Sequence, residues 1–205
     1  MKANEREFEK MKERVLSFQG EKRFAHTLGV VKEAEYIASV CGFSTEYVEK
    51  ARTAALLHDI TKTFTDEEQE AMFEKYGIDI PSEPPTMHEK TGAYFAREVF
   101  GDKTVDGEIF SAIACHTTGK AGMTMLDMAI FIADFTEETR THKSCIDMRA
   151  YLHAECEKIN GEPKKAEELL KRVTLRIIAN TLTFLALRKR KIDIRMIEAW
   201  NSMIL

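Results

Sequence analysis

Apolar residues recur along the chain at three- and four-residue spacing, the period of a helix packed on one side. Leu28, Val31, Ala34, Ala38 and Cys41 form one such stripe, and Gly42 ends it. Val48, Ala51, Ala55 and His58 form the next. Thr65 with Glu68 has the spacing of a capping box, and Gly77 closes the short helix that follows. Pro84 and Pro85 break whatever precedes them. Thr86 with Glu89 again has capping-box spacing and predicts a helix through Phe95 to about Phe100, before Gly101. Ile109, Ile113 and His116 mark another helix, Gly119 and Gly122 a loop, and Thr124 with Asp127 the start of a helix through Ile130 and Asp134. From about Glu162 one long amphipathic helix runs to Leu187, and a short one ends near Trp200. No segment alternates as a strand does. The predicted class is all-α, a helical bundle with additional C-terminal helices.

Composition narrows the setting. The length of 205 residues suits a single domain over 1–205. With 44% apolar and 31% charged residues, a packed core under a charged surface is expected rather than disorder. The net charge of −4 offers no basic face for nucleic acid, and the Arg188-Lys189-Arg190-Lys191 run reads as a solvated helix end. No apolar run reaches the length of a membrane span, and the charged opening residues do not read as a secretory signal. Cys41, Cys115, Cys145 and Cys156 form no C-x-x-C pair and read as free thiols, so a cytoplasmic location is expected.

Chemistry enters through histidine and aspartate. Of six histidines, His26, His58, His88 and His116 lie on or beside predicted apolar faces, near the ends of successive helices, whereas His142 and His153 sit among charged residues. One histidine on an apolar face is ordinarily a hydrogen-bonded core residue. Four of them in a bundle can converge on a metal. The pair His58-Asp59 follows Ala54-Ala55-Leu56-Leu57, and Asp134 ends the run Ala129-Ile130-Phe131-Ile132-Ala133. An ionised carboxylate beside such neighbours is costly unless a cation or hydrogen bonds compensate. A shared metal ion explains both aspartates. Separate pairing with bases such as Lys62 or Arg140 explains them too, and spacing does not choose between the two.

His26, His58-Asp59 and Asp134 in this order resemble the H…HD…D signature of the HD superfamily of phosphohydrolases. Longer stretches are similar to its YqeK branch, the symmetrical dinucleoside tetraphosphatases. They are Arg23-Phe24-Ala25-His26-Thr27-Leu28-Gly29-Val30, Ala55 to Lys62, and Met87-His88-Glu89-Lys90-Thr91-Gly92-Ala93. They continue with His116-Thr117-Thr118-Gly119-Lys120-Ala121-Gly122-Met123 and Ile132-Ala133-Asp134-Phe135. The resemblance is strong over about 20–140 and weaker over the C-terminal helices, about 162–205. Glu138 departs from it, standing where the family has proline after the acidic residue.

The resemblance implies a transition metal, iron first and manganese or cobalt next, held by His26, His58, Asp59 and Asp134. A second ion on Asp59, His88 and His116 stays open. Diadenosine tetraphosphate would be the substrate and ADP the product. Four phosphates call for further cations, which Lys62 and Arg23 can supply. His88, the second residue of its helix, suits a phosphate ligand or a proton donor to the leaving phosphate. Asp59, Lys62, His88 and His116 are thus the candidate catalytic residues, with Arg23, Thr117 and Gly122 lining the substrate. The implied partner is this nucleotide, with no membrane or nucleic acid, and a homodimer stays open. Other HD-type nucleotide hydrolases, or a nucleotide-binding regulator without turnover, are the alternatives.

Overall fold

The computed structural model describes residues 2–79, 84–159 and 161–204. Among these residues are nine α-helices and no strand. They are α1 (Lys2–Val40), α2 (Thr45–Leu57), α3 (Asp66–Tyr76), α4 (Met87–Phe100), α5 (Gly107–Ala114), α6 (Met125–Thr136), α7 (Lys143–Cys156), α8 (Pro163–Leu187) and α9 (Ile194–Ile204). The all-helical class and the C-terminal helices are as the periodicity predicts.

Helix α6 takes the centre. Leu126 to Ala133 are buried without interruption, and a helix apolar on every face has nowhere else to go. Around it pack α1, α2, α5, α7 and α8, with α1 lying along α2 most extensively. Helix α1 is broken at Gly20, whose φ of 71° and ψ of 163° only glycine adopts cheaply. The break turns the second half of α1, with His26, toward the ends of α2 and α6.

Two helical stretches exceed the sequence-based expectation. The segment before Gly20 is helical, with Phe8 and Val15 buried and Met11 and Phe18 packed on the core. These four recur at helical spacing beneath an unusually charged surface. Helix α7 likewise buries Cys145, Met148 and Leu152.

The expected caps at Thr65 and Thr124 both form, each with its reciprocal partner, Glu68 or Asp127. Thr86 does not cap. A short 3-10 turn over Pro84–Thr86 precedes α4, and Glu89 turns inward instead of reaching back. Burial of the Glu89 carboxylate brings it stronger donors elsewhere. All four cysteines are buried and free. Among the described residues no helix is long and apolar enough to cross a membrane.

Candidate metal centre

Five chain segments meet at one end of the bundle. His26 comes from α1, about one and a half turns past Gly20 rather than at a helix end. His58 and Asp59 follow the last residue of α2. His88 is the second residue of α4, His116 follows the end of α5, and Asp134 lies in the last turn of α6. At the end of α2 the backbone turns, which lets the neighbours His58 and Asp59 face a common point: His58 Nε2 lies 3.1 Å from Asp59 Oδ2.

Asp59 divides its two oxygens. Oδ2 faces His58 Nε2 and, at 3.7 Å, His26 Nε2. Oδ1 faces His88 Nε2 at 3.4 Å and His116 Nε2 at 3.5 Å. Asp134 Oδ1 closes the first group, 3.0 Å from His26 Nε2 and 3.8 Å from His58 Nε2. Ligands about 2.1 Å from one ion stand roughly 3–4 Å apart, so both groups have the spacing of a coordination shell.

The imidazoles are oriented for that role. His58 Nδ1 lies 2.6 Å from Ala55 O, and His116 Nδ1 lies 2.7 Å from Ile113 O. His26 Nδ1 meets Glu137 Oε1 at 3.0 Å. An acceptor at Nδ1 holds the proton there and leaves the Nε2 lone pair facing inward. His58 Nε2 and Asp59 Oδ1 are buried and make no hydrogen bond, His26 Nε2 faces the Asp134 carboxylate, and Asp59 Oδ2 meets the guanidinium of Arg23. Buried polar atoms normally have partners. Lone pairs gathered on either side of Asp59 fit metal ions, and the mixture of nitrogen and oxygen donors suits a first-row transition metal.

Charge around the cluster follows from burial. Desolvation, then the neighbouring His116, push the His58 imidazole well below its ordinary value. Burial acts likewise on His88 and His116. Burial alone would raise the Asp134 carboxyl, but the His26 hydrogen bond and the Arg140 guanidinium outweigh it and hold the group well below its usual range. The ion-pair alternative is therefore realised for Asp134, whose Oδ1 accepts from Arg140 Nη2 at 2.5 Å. It is not realised between Asp59 and Lys62. Arg23 meets Asp59 Oδ2 instead, while Lys62 Nζ sits 3.2 Å from both ring nitrogens of His88. Burial, aided by Arg23, brings the Lys62 ammonium down to about 8.

Thr117 joins the site through its hydroxyl, 3.2 Å from His88 Nε2. Gly122 lies in an exposed turn with its N–H donated to Ser202 Oγ, and no hydrogen bond among the described residues ties it to the Asp59 cluster. His153, which sits among charged residues in the sequence, is partly exposed and meets Glu33 at 3.0 Å. The sequence reading missed Glu137 and Glu89, two fully buried carboxylates that hold the histidine-bearing segments. A signal was present, since each directly follows or closely trails a candidate ligand on an apolar helix.

The HD domain family matches residues 23–169. The chain is 30% identical over 168 residues, 80% of each chain, to a Bacillus subtilis (strain 168) protein named symmetrical bis(5'-nucleosyl)-tetraphosphatase. A Halalkalibacterium halodurans protein of the same name is 28% identical over 197 residues, 90% of each chain. Among solved structures, one titled as a predicted HD superfamily hydrolase involved in NAD metabolism, from Clostridium acetobutylicum, superposes with a TM-score of 0.80 at 27% identity, covering 96% of both chains.

Proposed function

Because the chain belongs to the HD domain family, we propose that it is a metal-dependent hydrolase that cleaves diadenosine tetraphosphate symmetrically into two ADP. The observation that carries this reading is the division of Asp59, one oxygen to His26's group and the other to His88 and His116. A buried carboxylate whose Oδ2 has Arg23 and whose Oδ1 makes no hydrogen bond is made tolerable by cations on both sides. His26, His58, Asp59 and Asp134 hold the first ion, iron by preference, with manganese or cobalt able to substitute. Asp59, His88 and His116 hold a second. When bound, such ions acidify a water molecule and polarise a phosphoryl oxygen.

The rest of the chemistry belongs to side chains. Arg23 and Lys62 supply charge to the phosphates, and Thr117 a hydroxyl. The burial that keeps His88 neutral favours its role as a ligand over that of a proton donor. Lys62, brought down to about 8, is the group able to give a proton to the leaving ADP near neutral pH. The four phosphates of the relatives' substrate class match this run of cations and donors.

The test is hydrolysis of diadenosine tetraphosphate by the purified chain supplied with iron, manganese or cobalt, with metal content measured alongside. ADP as sole product, abolished by chelation, is expected. ATP with AMP would leave the substrate standing and refute symmetrical cleavage. No turnover by fully metallated protein would refute the reading.

A further inference from the structure

Glu89 follows His88 directly, yet its side chain turns the other way and is fully buried. There it grips the segment after His116. Oε2 accepts from Thr117 N at 2.9 Å and from Thr118 N at 2.8 Å, and the Thr118 hydroxyl adds a bond at 3.1 Å. A buried carboxylate with backbone donors still asks for a counter-charge. Arg195 provides it, with Nη2 3.4 Å from Glu89 Oε1. Asp193 steadies that guanidinium, accepting from Nε at 3.0 Å and from Nη2 at 2.7 Å.

Arg195 belongs to α9, which lies beyond the residues matched by the HD domain family. The same helix touches the segment after His116 directly at two points. Gly119, at φ +70°, packs closely against α9: a Cβ there would stand 3.0 Å from the Cβ of Ala199, tighter than ordinary contact. Ser202 Oγ accepts from Gly122 N at 3.2 Å. Positions 195, 199 and 202 fall on one face of a helix. Along that face Ala199 and Ser202 back the 116–122 segment directly, and Arg195 does so through Glu89.

We propose that Glu89 and Arg195 are positioning residues that tie α9 to the His88 and His116 segments and so fix the half of the site served by Asp59 Oδ1. This rests on the reading of His116 and Thr117 as ligand- and phosphate-binding groups. One carboxylate lies between the two histidine segments, so its displacement moves both. Neither residue touches the reacting atoms.

The test compares the full-length chain with Glu89→Gln, Arg195→Met, Arg195→Lys and the double variant Glu89→Gln/Arg195→Met. Glu89→Gln and Arg195→Met are each expected to lower kcat/KM for diadenosine tetraphosphate by about 10- to 100-fold. Arg195→Lys should recover most of the loss. The double variant should be no worse than the poorer single one, because the residues act as one unit. Multiplying losses, or no rescue by lysine, would mark the effects as independent and structural and overturn the proposal. Hydrogen exchange of residues 116–122 gives a readout that needs no turnover. Faster exchange in both single variants supports the strut, and unchanged exchange refutes it. A parent chain without turnover would count against the proposed function, and the exchange rates would still decide the strut.

Discussion

Glu137→Gln isolates what holds His26 in place. Glu137 Oε1 lies 3.0 Å from His26 Nδ1 and accepts from Thr139 Oγ1 at 2.7 Å, while Oε2 accepts from Thr139 N at 2.6 Å. The carboxylate needs both oxygens as acceptors. Glutamine has one. If its carbonyl faces His26, its NH2 confronts the Thr139 amide. Turned around, the NH2 confronts Nδ1 and drives the imidazole toward the wrong tautomer. Gly29 gives the carboxylate its place, since a Cβ at position 29 would clash with Oε2. Losing a hydrogen bond to a charged group costs about 1.5–3 kcal/mol. Disturbing the partner of a metal ligand lowers metal affinity about 10- to 100-fold, which converts to about 1.4–2.7 kcal/mol. The two routes agree in size. The assay is titration of Mn²⁺ or Co²⁺ into chelator-stripped wild type and variant, with folding checked by circular dichroism. A folded variant that binds metal within about twofold of wild type would refute the orienting role.

Asp59→Ala should abolish hydrolysis and lower metal content together, since both candidate ion sites draw on that carboxylate; activity and elemental analysis of the same sample check it. His88→Ala should keep the ion at His26 and lose a second equivalent, read as metal stoichiometry; an unchanged stoichiometry would limit His88 to the phosphates. Asp106 caps α5 by accepting from Glu108 N and Ile109 N, so Asp106→Ala should cost about 1 kcal/mol in urea melts. Burial raises the Asp106 carboxyl, but the Ile109 amide and Lys50 together leave it below its ordinary 3.8. Its contribution is therefore full above that value and fades as pH falls through the lower folded one, so the variant should lose less stability between about pH 5 and about pH 2 than wild type does.

The helices that carry the ligands were legible because apolar spacing and capping pairs are local signals. The same signals mark Met11, Val15 and Phe18, and Cys145, Met148 and Leu152. There a dense charged background hid them. His58-Asp59 stood out through the cost of a carboxylate after Ala55-Leu56-Leu57, a cost legible in one dimension. What spacing could not supply was the partner. Lys62 and Arg140 were equal candidates in sequence, yet Arg140 reaches Asp134 while Lys62 is drawn over His88 and Arg23 meets Asp59. Glu89 shows the same limit more sharply. Its offset from Thr86 fits a capping box, and a local rule assigns it there. Tertiary contacts gave it the amides of Thr117 and Thr118 and a guanidinium from α9, more than a cap could provide. Distant donors win whenever a carboxylate is buried, because an exposed cap has water as a substitute and a buried one does not.

That same cost couples the cluster to stability. His26, His58, His88, His116, Asp59 and Asp134 are gathered where each charge or lone pair has been stripped of water, and an ion that binds only the folded chain recovers part of the expense. At a free concentration 100 times its dissociation constant, one ion stabilises the fold by about 2.7 kcal/mol. For a chain of this length 1 kcal/mol moves Tm by about 2–4 °C, so chelation should lower Tm by about 5–10 °C. Acid should act in the same direction. Burial holds His58, His88 and His116 below the ordinary imidazole value of 6.5, so the unfolded chain takes up protons first as pH falls through that value. Folded-state stability, and with it the increment from metal, should therefore shrink below about pH 6.5. Thermal melts with Mn²⁺ or with chelator, at a series of pH values and with metal content verified, measure both effects. A Tm indifferent to verified metal loading would mean that the orphaned nitrogens and oxygens are not ligands, and the reading of the cluster as a metal centre would fall with it.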